Sequence, residues 1–193
     1  SDAGRHRARA IIVASGAALK KLGVPGEKEL EYKGVSHCAD CDGPMFEGKQ
    51  VTVVGGGDSA LQSAMVLSKF CSKVHLVHRA ATFSAQPHWV DAVSAAGNIE
   101  VHWNSVVSEV LGAGGVEGVR VNGDVIACEG FFAFVGLQPA SGFLPAEIER
   151  DERGAVLASQ GHETTMPGVF AAGAVRAGCG GSLADAMADG EAA

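Results

Sequence analysis

The chain has 193 residues, a formal net charge of −7, and 47% hydrophobic against 19% charged residues. That balance is ordinary for a soluble globular protein and excludes nucleic acid as a main partner, because phosphate binding needs a basic face that the sequence lacks. No apolar run approaches the roughly 20 residues needed to cross a bilayer. Five cysteines, only two of them at a recognised spacing, suit the cytoplasm better than a secreted disulfide framework.

In chain order, residues 9–16 form a short apolar run ending in small residues, which predicts a buried parallel strand and a tight turn. The chain opens without Met on an Arg-rich segment and is expected to begin partway through a longer protein. Gly23-Val-Pro-Gly26 breaks regular structure and is a candidate linker. Residues 27–48 read as polar and irregular, and they carry Cys38 and Cys41. Residues 51–54 predict a buried strand, and glycines 55–57 turn it into a helix over 58–69. The positions Ala60, Leu61, Ala64, Met65 and Leu67 follow helical spacing. A strand over 73–77 closes a β-α-β unit with a short crossover. A weaker helix over 87–96 and a strand over 99–103 follow.

From 106 the pattern changes to short β segments, over 106–111, 116–121 and 125–128, joined by glycine-rich turns. Asn122-Gly123 is a strong hairpin signal. Residues 131–135 return as a buried strand, and Gly136-Leu-Gln-Pro139 is a second candidate linker. Residues 168–173 predict another buried strand with a glycine turn, and a helix runs over 182–193. The 27 glycines fit an α/β chain with many tight turns and close backbone approaches.

Two motifs carry chemistry. Gly55-x-Gly57-x-x-Ala60 sits after a strand and opens a helix, as its mechanism requires. The first Gly permits the sharp turn, the second lets backbone approach a pyrophosphate, and the small third residue packs helix on strand. The helix N-terminus then supplies N–H donors to the phosphates. Where an NAD enzyme places an acid on the ribose hydroxyl, this chain reads Val77-His78-Arg79. Arg79 is suited to a 2′-phosphate and favours NADPH, and a solvated surface role is the alternative.

Cys38-Ala-Asp-Cys41 is the second motif. The spacing closes a small disulfide ring, and such pairs often contain a thiol of lowered pKa. Half of a zinc site is the alternative, but it needs two further ligands, and Cys71, Cys128 and Cys179 fall singly. His37 is adjacent to the pair, and adjacent residues rarely complete a tetrahedron. Asp42 follows, where a carboxylate serves as proton shuttle or simply as a turn residue. His75 and His78 are ambiguous, with His78 beside the adenosine pocket, and Trp89 and Trp103 read as core or interface.

This order of motifs resembles the low-molecular-weight flavin thioredoxin reductases, within the pyridine nucleotide-disulfide oxidoreductases. The matching stretches are Ile11-Ile-Val-Ala-Ser-Gly16, Cys38-Ala-Asp-Cys-Asp-Gly43, Gly55-Gly-Gly-Asp-Ser-Ala60, Val74-His-Leu-Val-His-Arg79 and Pro167-Gly-Val-Phe-Ala-Ala-Gly173. They correspond to the later two-thirds of that family. The resemblance implies an α/β fold with a Rossmann-like NAD(P)H-binding domain over 24–136, inserted between FAD-domain segments at 1–23 and 137–193. It implies electron flow from NAD(P)H through FAD to Cys38–Cys41, and then to a thioredoxin-like protein or small disulfide. Cys41 would face the flavin, Cys38 would attack the partner, and Asp42 would act as acid-base catalyst. Gly55, Gly57, Asp58, Ser59, Ala60, His78 and Arg79 would bind nucleotide. Gly16, Gly136, Gly173, Ala174, Ser182, Leu183 and Ala184 would contribute the remaining cofactor contacts. A cytoplasmic homodimer belongs to the same implication.

Departures from the family stand at four places. Ala80 and Ser84 occupy the positions of two further arginines that grip the 2′-phosphate, so NADH is also admissible. Ala174 replaces an Asp, and Ser182-Leu183-Ala184 replaces Arg-Gln-Ala, at positions that touch flavin in the family. These exchanges imply a weak, altered or absent flavin site. A dithiol oxidase on the same scaffold and a nucleotide-binding relative without flavin chemistry are the competing readings.

Overall fold

The computed structural model describes residue 4 and residues 6–193. In chain order the elements are β1 (Ile11–Val13), β2 (Ala17–Leu19), β3 (Val35–Ser36), α1 (Ala39–Asp42) running into a 3-10 turn (Gly43–Phe46), β4 (Gln50–Val54), α2 (Asp58–Leu67), β5 (Lys73–Val77), α3 (Pro87–Ala95) and β6 (Ile99–His102). They continue with β7 (Val107–Leu111), β8 (Gly118–Val121), β9 (Asp124–Ala127), β10 (Gly130–Ala133), β11 (Leu137–Pro139), β12 (Val169–Ala171), a 3-10 turn (Gly173–Val175) and α4 (Leu183–Ala192). The chain divides into a central unit, Lys20–Val135, and a second unit made of Ser1–Leu19 and Gly136–Ala193.

The central unit is built on a parallel sheet of strand order β3-β10-β4-β5-β6. Its strands are near-continuous apolar runs because both faces are covered. On one face, Ala60, Leu61, Ala64 and Leu67 of α2 and Val93 of α3 pack with Val51, Val53, Val74, Leu76 and Phe132. On the other, Val107, Val110, Val119 and Val121 of the β7-β8-β9 meander pack with Val54, Val77, Phe131 and Ala133. Residues such as Phe131 and Phe132 serve opposite faces because successive strand side chains alternate. Asn122 (φ 49°) and Gly123 (φ 99°) both adopt positive φ, the two-residue turn that their sequence predicts between β8 and β9.

The second unit holds two strand pairs, β1 with β12 in parallel and β2 with β11 antiparallel. Its core gathers Val13, Ile148, Val156, Val169, Ala171 and Val175.

Three expectations from sequence are corrected. The first strand is parallel but mostly not buried, since Ile11 and Ile12 are each 56% exposed and only Val13 is covered. Among the described strands it has a neighbour on one side alone, β12. Within residues 136–139, read as a linker, Leu137–Pro139 form β11 against β2. The polar stretch 27–48 is not wholly irregular, because Val35 and Ser36 add a fifth parallel strand beside β10. Within the candidate linker Gly23–Gly26, Gly23 and Pro25 are exposed, while Gly26 packs closely inside the central unit. Val110 N–H donates to Pro25 O at 2.9 Å, and a Cβ on Gly26 would fall 1.9 Å from Val110 O.

Candidate active site

Strand β3 fixes the chain just ahead of Cys38, which then caps α1 in extended conformation. One helical turn separates positions i and i+3, so the spacing brings Cys41 back over Cys38. The two Cα atoms stand 5.3 Å apart and the sulfurs are joined as a disulfide. Cys41 N–H donates to Cys38 Sγ at 3.2 Å.

Asp42 reaches this pair through an intermediary that sequence reasoning missed. Ser36 Oγ donates to Asp42 Oδ2 at 2.6 Å and accepts from Cys38 N–H at 3.1 Å. No sequence spacing marks Ser36; its place follows from the β3–β10 register. His37 turns away toward Glu31 (3.4 Å), and its Nδ1 is buried without a hydrogen-bond partner. Glu31 also pairs with Lys21 at 2.8 Å, which holds its carboxyl below the usual range. A cavity of about 410 Å³ opens beside these groups, lined by Tyr32, Ser36, His37, Cys38, Asp42 and Met45 among others. Tyr32 and Met45 are exposed apolar surface at its rim. Cys71 and Cys128 are buried thiols, each pushed up to about 11, chiefly by burial, which makes them inert packing residues.

The glycine turn lies at the carboxyl end of β4, where ligands bind in open α/β sheets. Gly55 has φ 146°, and a Cβ there would come within 2.5 Å of Phe134 O and 2.7 Å of the Ala60 Cβ. Both Gly55 and the small Ala60 are therefore dictated by close packing. A Cβ on Gly57 would meet only Ser84 Oγ at 3.8 Å, so backbone there is open to a ligand. Gly57 caps α2 without a side-chain bond, which leaves the N–H groups of Asp58 and Ser59 for an outside acceptor. These features fit a dinucleotide pyrophosphate.

Around the turn, Asp58 accepts from Gln86 N–H (2.7 Å) and Gln86 Nε2 (2.6 Å), bonds that hold its carboxyl low. Ser84 N–H and Oγ both donate to Gly56 O, so the segment after β5 folds back over the turn. His78 lies against Gly56, where a Cβ would fall 2.1 Å from its ring. Its centroid is 5.5 Å from Phe83 and 6.1 Å from Trp103. Sequence reasoning did not connect this aromatic group. Arg79 and Ala80 are exposed, and Arg79 makes no ion pair among the described residues.

In the second unit, Gly16 (φ 68°) accepts from Ala140 N–H at 2.9 Å, and Gly136 (φ 109°) is exposed. Gly173 (φ 73°) donates to Asp189 Oδ2 at 3.0 Å, and Asp189 forms a two-point ion pair with Arg176. Ala174 presents no polar side chain. Ser182 and Asp185 form a capping box on α4, and Leu183 and Ala184 are exposed. The capping box occupies the Ser182 and Asp185 N–H groups at the start of α4. These residues fit a flavin only in part, through the glycine turns after β1 and β12.

A parallel sheet with a dinucleotide turn, sharing one compact unit with a CxxC disulfide, defines a nucleotide-linked disulfide oxidoreductase fold. The family described as pyridine nucleotide-disulphide oxidoreductase matches residues 2–190, and the chain belongs to it. It is 40% identical to the thioredoxin reductase of Peptoclostridium litorale over 97% of this chain and 63% of that protein. It is 38% identical to the thioredoxin reductase of Treponema pallidum over 97% of this chain and 62% of that protein. The crystal structure of Lactococcus lactis thioredoxin reductase superposes with a TM-score of 0.89 at 35% identity, over 95% of this chain and 63% of that one. The chain therefore spans somewhat under two-thirds of the relatives it matches.

Proposed function

We propose that this chain is the catalytic part of a thioredoxin reductase-like enzyme that passes electrons from NAD(P)H, through FAD, to the Cys38–Cys41 disulfide and on to a partner disulfide. The observation that carries this reading is the Cys38–Cys41 disulfide, linked through Ser36 to Asp42, at the edge of an open cavity. In it, the central unit is the NAD(P)H-binding domain, and residues 1–19 and 136–193 belong to the FAD-binding domain. The partner is a thioredoxin-like protein or small disulfide, and a cytoplasmic homodimer is part of the same proposal.

NAD(P)H would lie with its pyrophosphate over Gly57 and the first N–H groups of α2, its adenosine beside His78, and a 2′-phosphate near Arg79. Bound FAD supplies hydride acceptance from the nicotinamide and a two-electron donor to the disulfide. The remaining chemistry belongs to this chain. Two electrons and two protons convert the disulfide to two thiols, and one proton leaves to give the Cys38 thiolate. That thiolate attacks a sulfur of the partner disulfide, forming a mixed disulfide and expelling one partner thiolate, which takes up a proton. Cys41, deprotonated, attacks Cys38 Sγ, releases the second partner thiol and restores the Cys38–Cys41 bond. Asp42, through Ser36, exchanges the protons that the two sulfurs gain and lose.

Ala174 and the capped start of α4 favour a second reading, an altered flavin site with a different electron donor. One experiment separates the two. The visible spectrum of the purified full-length protein is recorded before and after anaerobic NADPH. A flavin band bleached by stoichiometric NADPH supports the reductase. A band that NADPH leaves untouched supports the altered donor, and a colourless protein overturns both.

A further inference from the structure

Away from the glycine turn and the disulfide, the central unit gathers titratable side chains at one more place. The register pairs Gln50 with Lys73, Thr52 with His75, and His75 with Glu100 across β4, β5 and β6. Alternate strand residues share a face, so Gln50, His75, Glu100 and His102 project on the same side. His75 Nδ1 lies 3.1 Å from His102 Nε2, and His102 Nε2 lies 3.7 Å from Glu100 Oε1. One donor atom from each of the three falls within 4.8 Å of the others. Two nitrogens bound to one tetrahedral zinc stand about 3.4 Å apart. The imidazoles are therefore already near ligand spacing.

Gln50 supplies a second, independent observation. Its Oε1 lies 3.1 Å from His75 Nε2. An amide oxygen only accepts, so Nε2 carries the proton and the Nδ1 lone pair is directed at His102. That is the tautomer a ligating imidazole needs, held by an outer hydrogen-bond acceptor. Lys73 pairs with Glu100 Oε2 and leaves Oε1 toward the histidines. Glu100 is exposed and His102 half-buried, so an ion has access from solvent.

We propose that His75, His102 and Glu100 form a binding site for a divalent cation of the zinc class, with water in the fourth position. On binding, the His102 proton that bridges to His75 moves to His102 Nδ1 and the ion takes its place. Because β6 is the sheet edge, the ion clamps it to β5 just before His78, whose N–H donates to His102 O at 2.9 Å.

The test uses metal-stripped full-length protein with the disulfide kept oxidised, titrated with Zn²⁺ and with Co²⁺ as the optical probe. One ion per chain is expected, with tetrahedral Co²⁺ bands and no thiolate charge-transfer band. His102→Gln should weaken binding at least about 100-fold, and Gln50→Ala about 10-fold, with metal-free circular dichroism unchanged. Glu100→Gln, at an exposed position, is the second ligand variant and should lower affinity at least about 10-fold. Absence of binding, a thiolate band, or parental affinity in Glu100→Gln overturns the site.

Discussion

Ser36 has a small side chain, yet it joins the Asp42 carboxylate to the disulfide segment. Its hydroxyl donates to Asp42 and accepts from Cys38 N–H, and the residue is buried at 8% exposure. Removing it leaves a carboxylate without its donor and an N–H without its acceptor. Ser36→Ala is therefore expected to cost about 1–2 kcal/mol, read as a shift in urea midpoint at unchanged m-value. The same variant should slow disulfide turnover about 10-fold, a smaller loss than removing an acid-base group outright. Ser36→Thr keeps the hydroxyl and suits a strand, so it should restore the rate. Equal losses in both variants would reduce Ser36 to packing. The Cys38–Cys41 pairing and the tight turn at Gly55 were legible from spacing alone, because their geometry is local. Ser36, Phe83, Glu100 and His102 were not, because their partners are set by strand register and by a segment that folds back.

At the scale of elements, α4 and the turn after β12 are held together by one ion pair. Asp189 joins Arg176 through both carboxylate oxygens and takes the Gly173 N–H as well. The Arg176 side chain, followed by burial as an opposing effect and then the Gly173 bond, leaves the Asp189 carboxyl below its ordinary value. A carboxylate depressed in the folded state binds fewer protons there than in the unfolded chain. Its stabilisation is full above the unfolded value near 4 and is lost as pH falls through the folded value. Asp189→Asn should therefore cost about 2 kcal/mol near pH 7, between the exposed and fully buried cases. The gap between parent and variant should narrow as pH falls below the unfolded carboxylate value near 4 and through the lower folded one. A gap that persists in acid would show that the carboxylate contributes by shape and not by charge. The elements themselves were readable where their pattern was strong, with α2, α3 and β5 found within a residue or two. The exposed faces of Ile11 and Ile12 were not, because apolarity alone does not report how many neighbours a strand acquires. Leu137-Gln-Pro139 read as a linker because Gly and Pro are breakers, although an edge strand tolerates Pro.

On the scale of the whole chain, the hydrophobic material is unevenly divided. Both larger clusters, one under α2 and α3 and one under the meander, are formed entirely by residues between Lys20 and Val135. The five-stranded sheet, the glycine turn and the disulfide lie in the same span. The second unit rests on two strand pairs and one smaller cluster, from Val13 to Val175. A unit that owns its core and closes its own ladders should fold without the rest. The excised segment Lys20–Val135 is therefore expected to unfold in a single urea transition, with fluorescence from Trp89 and Trp103 and far-UV circular dichroism coinciding. It should bind NADPH without flavin, since the turn from Gly55 to Ala60 and Arg79 are all its own. A broad or probe-dependent transition would mean that the core is completed from outside this span. Cooperative folding without NADPH binding would remove the nucleotide from the glycine turn and leave the turn as a packing device.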